Sequence, residues 1–508
     1  MSISSVNPIN EAIGGAVEET SPTELELVLH DAHGAVTELR WATAIRRAEW
    51  MRAVAGALSN AAGALVEIAV RETGLPEARL TGELRRTHSQ LTLIADYIQT
   101  GAPFQPTIDT ADPEWVPTPR PDLRSLRLGI GPVLVFAASN FPFAFSVAGG
   151  DTASAWAAGC PVIVKSHPGH PQLSEAVATL VRHALHAAGA PKGTFALIHG
   201  VRPGVNALRD PRIAAGSFTG SLAGGRALFD IAASRPQPIP FFAEMGSINP
   251  VVITAAAARE RPLLLADELA ESFLLGNGQF CTKPGIVLVP AASEIPAALA
   301  AIVSTRSAGV MLSTNIRDRH RHDLAQLSAS GPVSALAVGR PAPAVGAFEQ
   351  SSVHLTTVAG LTAFPEQVAA ECFGPSTVLV TYRDQHELHD ALAVLPGSLT
   401  ASVQRGQDEN VGDLITFLVE RAGRVIVDEW PTGVAVTWAQ MHGGPYPATT
   451  DPRATSVGTA AVDRFLRPVA FQNAPDDALP GLLRDAATPG VLRRIDGHLS
   501  DRSVQRTR

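Results

Sequence analysis

The chain has 508 residues, of which 45% are hydrophobic and 17% charged, and its formal net charge is −8. That much apolar material exceeds one ordinary core, so two or three domains are expected. No basic block accompanies the mild acidity and only 5% of residues are aromatic, which removes the electrostatic footprint of a nucleic-acid binder and points to small-molecule partners.

The opening "MSISSVNPINEAIGGAVEET" has no basic start followed by an apolar stretch, and no run of about 18 apolar residues occurs anywhere. A cytoplasmic protein without a membrane partner is expected. Cys160, Cys281 and Cys372 are the only cysteines, too few for a disulfide framework and without metal-ligand spacing, so no metal is expected. Lysine is rarer still relative to arginine: Lys165, Lys192 and Lys283 stand among 40 basic side chains. A drift towards arginine spares lysine where a compact ammonium is needed, which singles out Lys165; Lys192 sits in a "GAPKG" turn.

In chain order, "RWATAIRRAEWMRAVAGALSNAAGALVEIAVRETG" has apolar residues at three- and four-residue spacing and predicts helix up to Gly74 and Pro76. The first hundred residues read as scaffold with no visible chemistry. Residues 109–127, "DTADPEWVPTPRPDLRSLR", are proline-rich and polar, which suits an extended ribbon at a boundary. Then strands alternate with helices: "GPVLVFAAS", the helix "FSVAGGDTASAWAAG" with Gly159 as its cap, "PVIVKS", the helix "LSEAVATLVRHALHAAG", "TFALIHG", "AAGSFTG" and the helix "SLAGGRALFDIAAS". This alternation predicts a parallel, doubly wound sheet. Ligands of such sheets lie beyond the carboxyl ends of the strands, where Asn140, Lys165, Gly200, Thr219, Gly220 and Ser221 fall. G-x-G-x-x-G is absent after the first strand, so a nucleotide must be held by other contacts. After residue 247, "PLLLADELAESFLLGNG", "GIVLVP", "STVLVTYRD" and "GRVIVDEW" predict a second α/β domain. Beyond 474 the chain is polar and charged, and this tail carries no assigned function.

"GNGQFCTKPG" places Cys281 between glycines that let backbone approach a substrate closely. A nucleophilic thiol needs a free path and a stabilised thiolate. Cys160 has apolar neighbours and reads as core, and Cys372 reads as inert. "FFAEMGSINP" sets Glu244 beside phenylalanines, where a raised pKa suited to a general base is expected. "ASNFPFAF" offers the Asn140 amide for an oxyanion. Alone, Glu244 is an ordinary strand-end carboxylate and Asn140 an ordinary turn residue. Phe141, Phe143, Phe145 and Trp156 could line an aliphatic tunnel or fill core.

Taken together and in order, "NFPF", "VIVKSHP", "FTGS", "EMGSINP", "GQFCT" and "ECFGP" resemble the aldehyde dehydrogenase superfamily from about residue 25 to 470. "FSVAGGDTASAWAAGCPVIVKSHPGHP" and "HGGPYPATTDPRATSVGTAAVDRFLRPV" resemble a branch holding α-ketoglutarate semialdehyde (2,5-dioxovalerate) dehydrogenases and NADP-linked fatty-aldehyde dehydrogenases. The resemblance implies two doubly wound α/β domains and a small oligomerisation ribbon. Residues 1–108 and 128–246 would bind cofactor, 247–440 would be catalytic, 109–127 and 441–474 would bridge subunits of a homodimer or homotetramer, and 475–508 would remain a polar tail. It also makes Cys281 the nucleophile, Asn140 and the Cys281 N–H the oxyanion hole, and Glu244 the base. Lys165 would hold the cofactor ribose or its phosphate, Ser221 and the start of its helix the pyrophosphate, with Thr219 and Gly220 also at the cofactor and close packing at Gly225, and Glu371 and Phe373 the nicotinamide ribose and ring. Pro168 stands where NAD-preferring relatives carry a carboxylate that repels a 2′-phosphate; with Lys165 and His167 nearby, this favours NADP, with NAD as the alternative. The implied reaction is oxidation of an aldehyde to a carboxylic acid, with α-ketoglutarate semialdehyde the first expectation and a fatty or medium-chain aldehyde the second. Acyl transfer to coenzyme A and an inactive binding protein are lesser alternatives.

Overall fold

The computed structural model describes residues 2–329 and 331–504; the last four residues of the polar tail lie outside it. The long predicted helix is two helices, Ala44–Asn60 and Ala62–Thr73, bent by 72° at a one-residue break. Thr43 caps the first by accepting from Arg46 N–H, and Gly74 ends the second in the left-handed region at φ 65°, where L side chains are disfavoured. A third helix, Glu77–Gln99, buries Leu80, Leu84, Leu91, Ile94 and Ile98 at the three- and four-residue spacing of one helix face. Among the described residues no single helix is long and apolar enough to cross a bilayer.

The first sheet has five parallel strands, Val133–Phe136, Val162–Lys165, Phe195–Ile198, Ala215–Thr219 and Phe241–Glu244, numbered one to five along the chain and ordered 3-2-1-4-5 in space. Both faces are covered. Val133, Val135, Val162 and Val164 pack into one core, and Leu134, Phe136 and Ile163 into another on the opposite face. That double burial explains why these strands read as unbroken apolar runs instead of alternating ones. Strand order reverses between strands one and four, so the crevice at their carboxyl ends opens beside residues 137–140 and 219–221.

A seven-stranded second sheet is built from Val251–Ile253 through Ala422–Val427 and is parallel except for the pairing of Ser334–Val338 with Ser352–Thr357. Its start follows the end of the first sheet by six residues, from Glu244 to Val251.

The polar tail departs from expectation. Arg493–Ile495 and His498–Ser500 form a hairpin that adds to Thr107–Asp109, Leu123–Gly129 and Leu466–Gln472, making one five-stranded sheet. Leu479 and Leu483 are buried against Ile108, Leu126 and Leu128. The fully buried Arg124 guanidinium bonds Asp122 at 2.8 Å, Asp485 at 2.7 Å and the Leu483 carbonyl at 2.6 Å. Low hydrophobicity hid this because two leucines and a buried charge network, instead of a periodic apolar face, tie the segment down.

Candidate active site

The cysteine loop is shaped by its glycines and an asparagine. After the helix Pro262–Leu274, residues Gly276, Asn277 and Gly278 all lie in the left-handed region, at φ 59°, 54° and 68°. A Cβ on Gly278 would lie 2.1 Å from the Gly374 carbonyl oxygen, so only glycine fits. Buried Asn249 donates from Nδ2 to the carbonyls of Cys281 at 2.8 Å and Lys283 at 2.9 Å. Lys283 Nζ donates to the carbonyls of Cys372 and Ser376, each at 2.8 Å, and thereby clamps the loop to "ECFGP".

Cys281 and Glu244 come together with a third residue that sequence reasoning missed. His442 Nε2 lies 3.4 Å from the Cys281 Sγ and 3.0 Å from Glu244 Oε1. Ser456 Oγ donates to Glu244 Oε2 at 2.5 Å. His442 is held in place because its N–H donates to Thr455 Oγ1 and its carbonyl accepts from Ser456 N–H, both at 2.8 Å. Its Nδ1 is buried without a partner among the described residues, and Nε2, which faces the carboxylate, is the nitrogen placed to donate. The only sequence signal was its place in "HGGPYP", a histidine before two glycines.

The electrostatics correct one expectation. Burial alone would raise the Glu244 pKa, as the neighbouring phenylalanines suggested, but His442, Ser456 and the Cys281 thiol outweigh it and hold the carboxyl below its ordinary range. Cys281 is pushed well above the ordinary thiol range by burial and by the Glu244 charge, with the Arg86 guanidinium pulling the other way. The resting pair is therefore a carboxylate beside a protonated thiol. Cys160 is fully buried and Cys372 nearly so, each with its pKa raised to about 11 by burial.

Asn140 is buried, its Nδ2 donating to the Gln279 carbonyl at 3.1 Å. That bond uses one of its two amide hydrogens. The Cys281 N–H donates to none of the described residues. The Asn140 carbonyl is fixed by Arg79 Nη2 at 2.7 Å.

A cavity of about 220 Å³ opens at Cys281, lined among others by Arg79, Glu83, Arg86, Phe141, Phe145 and Phe280. The first three sit three and four residues apart on the helix Glu77–Gln99, so the region read as bare scaffold supplies one wall. Arg79 lies over the Phe141 and Phe280 rings at 5.2 and 4.7 Å, and Arg86 over Phe141 and Phe145 at 5.7 and 5.3 Å. The aromatic series divides: Phe141 and Phe145 face the cavity, while Phe143 and Trp156 are core.

The remaining predicted residues gather along the carboxyl edge of the first sheet. Lys165 ends strand two; its amine is nearly buried, and burial brings its pKa down to about 8. His167 Nδ1 accepts from Gly169 N–H at 3.0 Å, leaving Nε2 to donate, and Pro168 is exposed. Thr219 ends strand four. Gly220 is exposed and its N–H donates to the Glu244 carbonyl at 3.1 Å. Exposed Ser221 caps the helix Leu222–Ala233, and Gly225 packs so tightly that a Cβ would meet Met245 at 2.6 Å. An exposed helix N-terminus and an amine without a partner among the described residues, at the carboxyl ends of strands of one sheet, suit a phosphorylated ligand. Glu371 Oε2 lies over Gly246, where a Cβ would come within 2.5 Å, and burial raises its pKa to about 7; partly buried Phe373 follows in the same segment. These groups fit a dinucleotide laid across the crevice.

A family model described as the Aldehyde dehydrogenase family matches residues 1–446. The α-ketoglutaric semialdehyde dehydrogenase of Acinetobacter baylyi is 39% identical over 98% of this chain and 96% of its own length. The α-ketoglutaric semialdehyde dehydrogenase 2 of Azospirillum brasilense is 41% identical over 96% of this chain and 94% of its own length. Among solved structures, betaine aldehyde dehydrogenase of Staphylococcus aureus in complex with NAD+ superimposes with a TM-score of 0.80 at 20% identity, covering 93% of this chain and 91% of that one. A 3,6-anhydro-L-galactose dehydrogenase gives a TM-score of 0.79 at 20% identity, covering 93% of this chain and 96% of that one. With the fold, the thiol–carboxylate pair and a match over most of its length all in agreement, the chain belongs to the aldehyde dehydrogenase family, whose members oxidise aldehydes with a nicotinamide cofactor.

Proposed function

We propose that the chain oxidises α-ketoglutarate semialdehyde to 2-oxoglutarate with NADP. The observation that carries the substrate is the cavity at Cys281. Its volume of about 220 Å³ lies below the roughly 300–1,000 Å³ of pockets for drug-sized ligands, and two arginines line it. A short acid is at home there; a long alkyl chain would have to be buried against guanidinium groups, at the cost of their hydration. Relatives near 40% identity are named for this semialdehyde, which supports the same reading.

The Cys281 thiol gives up its proton to solvent, and the thiolate attacks the aldehyde carbon. The developing thiolate accepts the His442 Nε2–H, and the thiohemiacetal oxyanion accepts from the free hydrogen of the Asn140 amide and from the Cys281 N–H. The bound nicotinamide supplies the acceptor for the hydride that leaves this carbon. Glu244 takes a proton from water, which attacks the thioester and frees the acid and Cys281. Lys165 and His167 Nε2 would hold the 2′-phosphate, Ser221 and the first turn of its helix the pyrophosphate, and Glu371 and Phe373 the nicotinamide end.

The test is absorbance at the reduced-nicotinamide band with this semialdehyde, each cofactor, and coenzyme A present or absent. The native enzyme is expected to favour NADP in kcat/KM and to ignore coenzyme A. Lys165→Ala should cost NADP about ten- to a hundredfold, the worth of a charged hydrogen bond, and NAD less. Equal use of both cofactors by the native enzyme would remove the weight placed on Pro168.

We also propose a homodimer or homotetramer. The ribbon residues Trp115 and Val116 are 50% and 82% exposed, an apolar pair suited to a second copy. Sedimentation of a monomer at assay concentration would rule this out.

A further inference from the structure

We propose that Arg86 is the group that takes the far carboxylate of the substrate, with Phe141 and Phe145 as its platform. This rests on the reading that the substrate is a short aldehyde acid.

Formal charge leads to it first. Arg79, Arg86 and Glu83 are the charged side chains of the cavity wall: two cations and one carboxylate, with the Glu244 charge behind Cys281 reaching Arg86 without an ion pair. Glu83 does not pair with either arginine. Its Oε1 accepts the N–H groups of Phe143 at 2.8 Å and Ala144 at 2.9 Å, which turns the carboxylate towards the "NFPF" loop. Burying a guanidinium without an anionic partner is unfavourable, and a site that keeps one is built for a ligand that brings the anion.

Hydrogen bonding then separates the two arginines. Arg79 is committed through Nη2 to the Asn140 carbonyl at 2.7 Å, which makes it a positioning residue for the oxyanion amide although its buried Nη1 has no partner among the described residues. Arg86 donates no hydrogen bond to the described residues, and its Nε is buried without a partner. It lies over the Phe145 ring at 5.3 Å and the Phe141 ring at 5.7 Å, contacts that steer a guanidinium without using its N–H groups. Its five donors remain available, in the fork geometry that fits a carboxylate.

Reach is consistent with this. Arg86 and Cys281 line the same cavity and each influences the other's ionisation. In the semialdehyde four carbon–carbon bonds of about 1.5 Å each separate the aldehyde carbon from the carboxylate carbon, so an extended substrate bonded to Sγ places its acid about 5 Å further along the cavity. A fatty aldehyde has nothing to offer Arg86.

The test compares kcat/KM for α-ketoglutarate semialdehyde with that for pentanal in the native enzyme, Arg86→Gln and Arg86→Lys. The native preference for the acid should fall about a hundredfold in Arg86→Gln, the loss of a bidentate charged contact, and by less in Arg86→Lys, which keeps the charge but loses the fork. Inhibition by 2-oxoglutarate, measured with pentanal as substrate, should weaken in parallel. This second readout holds even if semialdehyde turnover becomes too slow to follow, and Arg86→Lys carries the comparison if Arg86→Gln does not fold. Equal losses on both substrates would mean that Arg86 acts only through the thiol, and would overturn the proposal. A native enzyme that turns over pentanal as well as the acid sinks the substrate reading itself. A native preference that survives intact in both variants leaves that reading standing and removes Arg86 from it.

Discussion

Cys281→Ala should reduce turnover by about 10⁴-fold or more, because no other described thiol can form the thioester and loss of a covalent nucleophile is the largest single deletion such a site can suffer. Cofactor binding should persist, since Lys165, Ser221 and Glu371 lie on other segments; cofactor fluorescence separates the two effects. Cys160→Ala and Cys372→Ala provide the contrast. Both thiols are buried, one beneath the first sheet and one behind the Lys283 clamp, and their loss should leave most activity in place. Turnover that survives in Cys281→Ala would move the nucleophile elsewhere.

Glu244→Gln should separate the reaction into its halves. The acyl-enzyme still forms and releases about one equivalent of reduced cofactor per site in a burst, and the steady state then slows by about 10²–10⁴-fold, the usual worth of a general base. A missing burst would place the essential work of Glu244 at thiol deprotonation. The thiol itself supplies a signed second measurement. Burial and the Glu244 charge both raise the Cys281 pKa, and the neutral amide removes the second cause. Alkylation of Cys281 by iodoacetamide, followed against pH, should therefore rise at lower pH in Glu244→Gln than in the native enzyme. A midpoint that stays put or climbs would mean that the carboxylate does not act on the thiol through its charge.

Much of this site was legible because its chemistry is written in local motifs. Cys281, Asn140 and Glu244 each sit at the end of a strand or helix whose apolar pattern is plain, and glycine marks where backbone must crowd the ligand. His442 was not legible, since it meets Glu244 across 198 residues of chain and nothing around it is periodic. The cavity wall was hidden for another reason: Arg79, Glu83 and Arg86 share a helix with a regular buried face, and periodicity says which side is core without saying what the other side overlooks. The expected rise in the Glu244 pKa failed in the same way, because sequence displays the neighbouring phenylalanines and conceals the imidazole and hydroxyl that fold back onto the carboxylate.

The five-stranded sheet carries a consequence for how the chain is made. Thr107 pairs with Arg494 and Ile108 with Ile495, partners roughly 390 residues apart. At synthesis rates of about 5–20 residues per second, roughly 20–80 s pass between the emergence of one strand and of the other. Through that interval Thr107–Asp109 has a bare edge, an invitation to pair with any neighbouring chain. A polypeptide released a few dozen residues early could complete both α/β sheets, nucleophile included, and still present that edge, so early termination would be expected to produce aggregates of nearly finished enzyme instead of loose, readily degraded fragments.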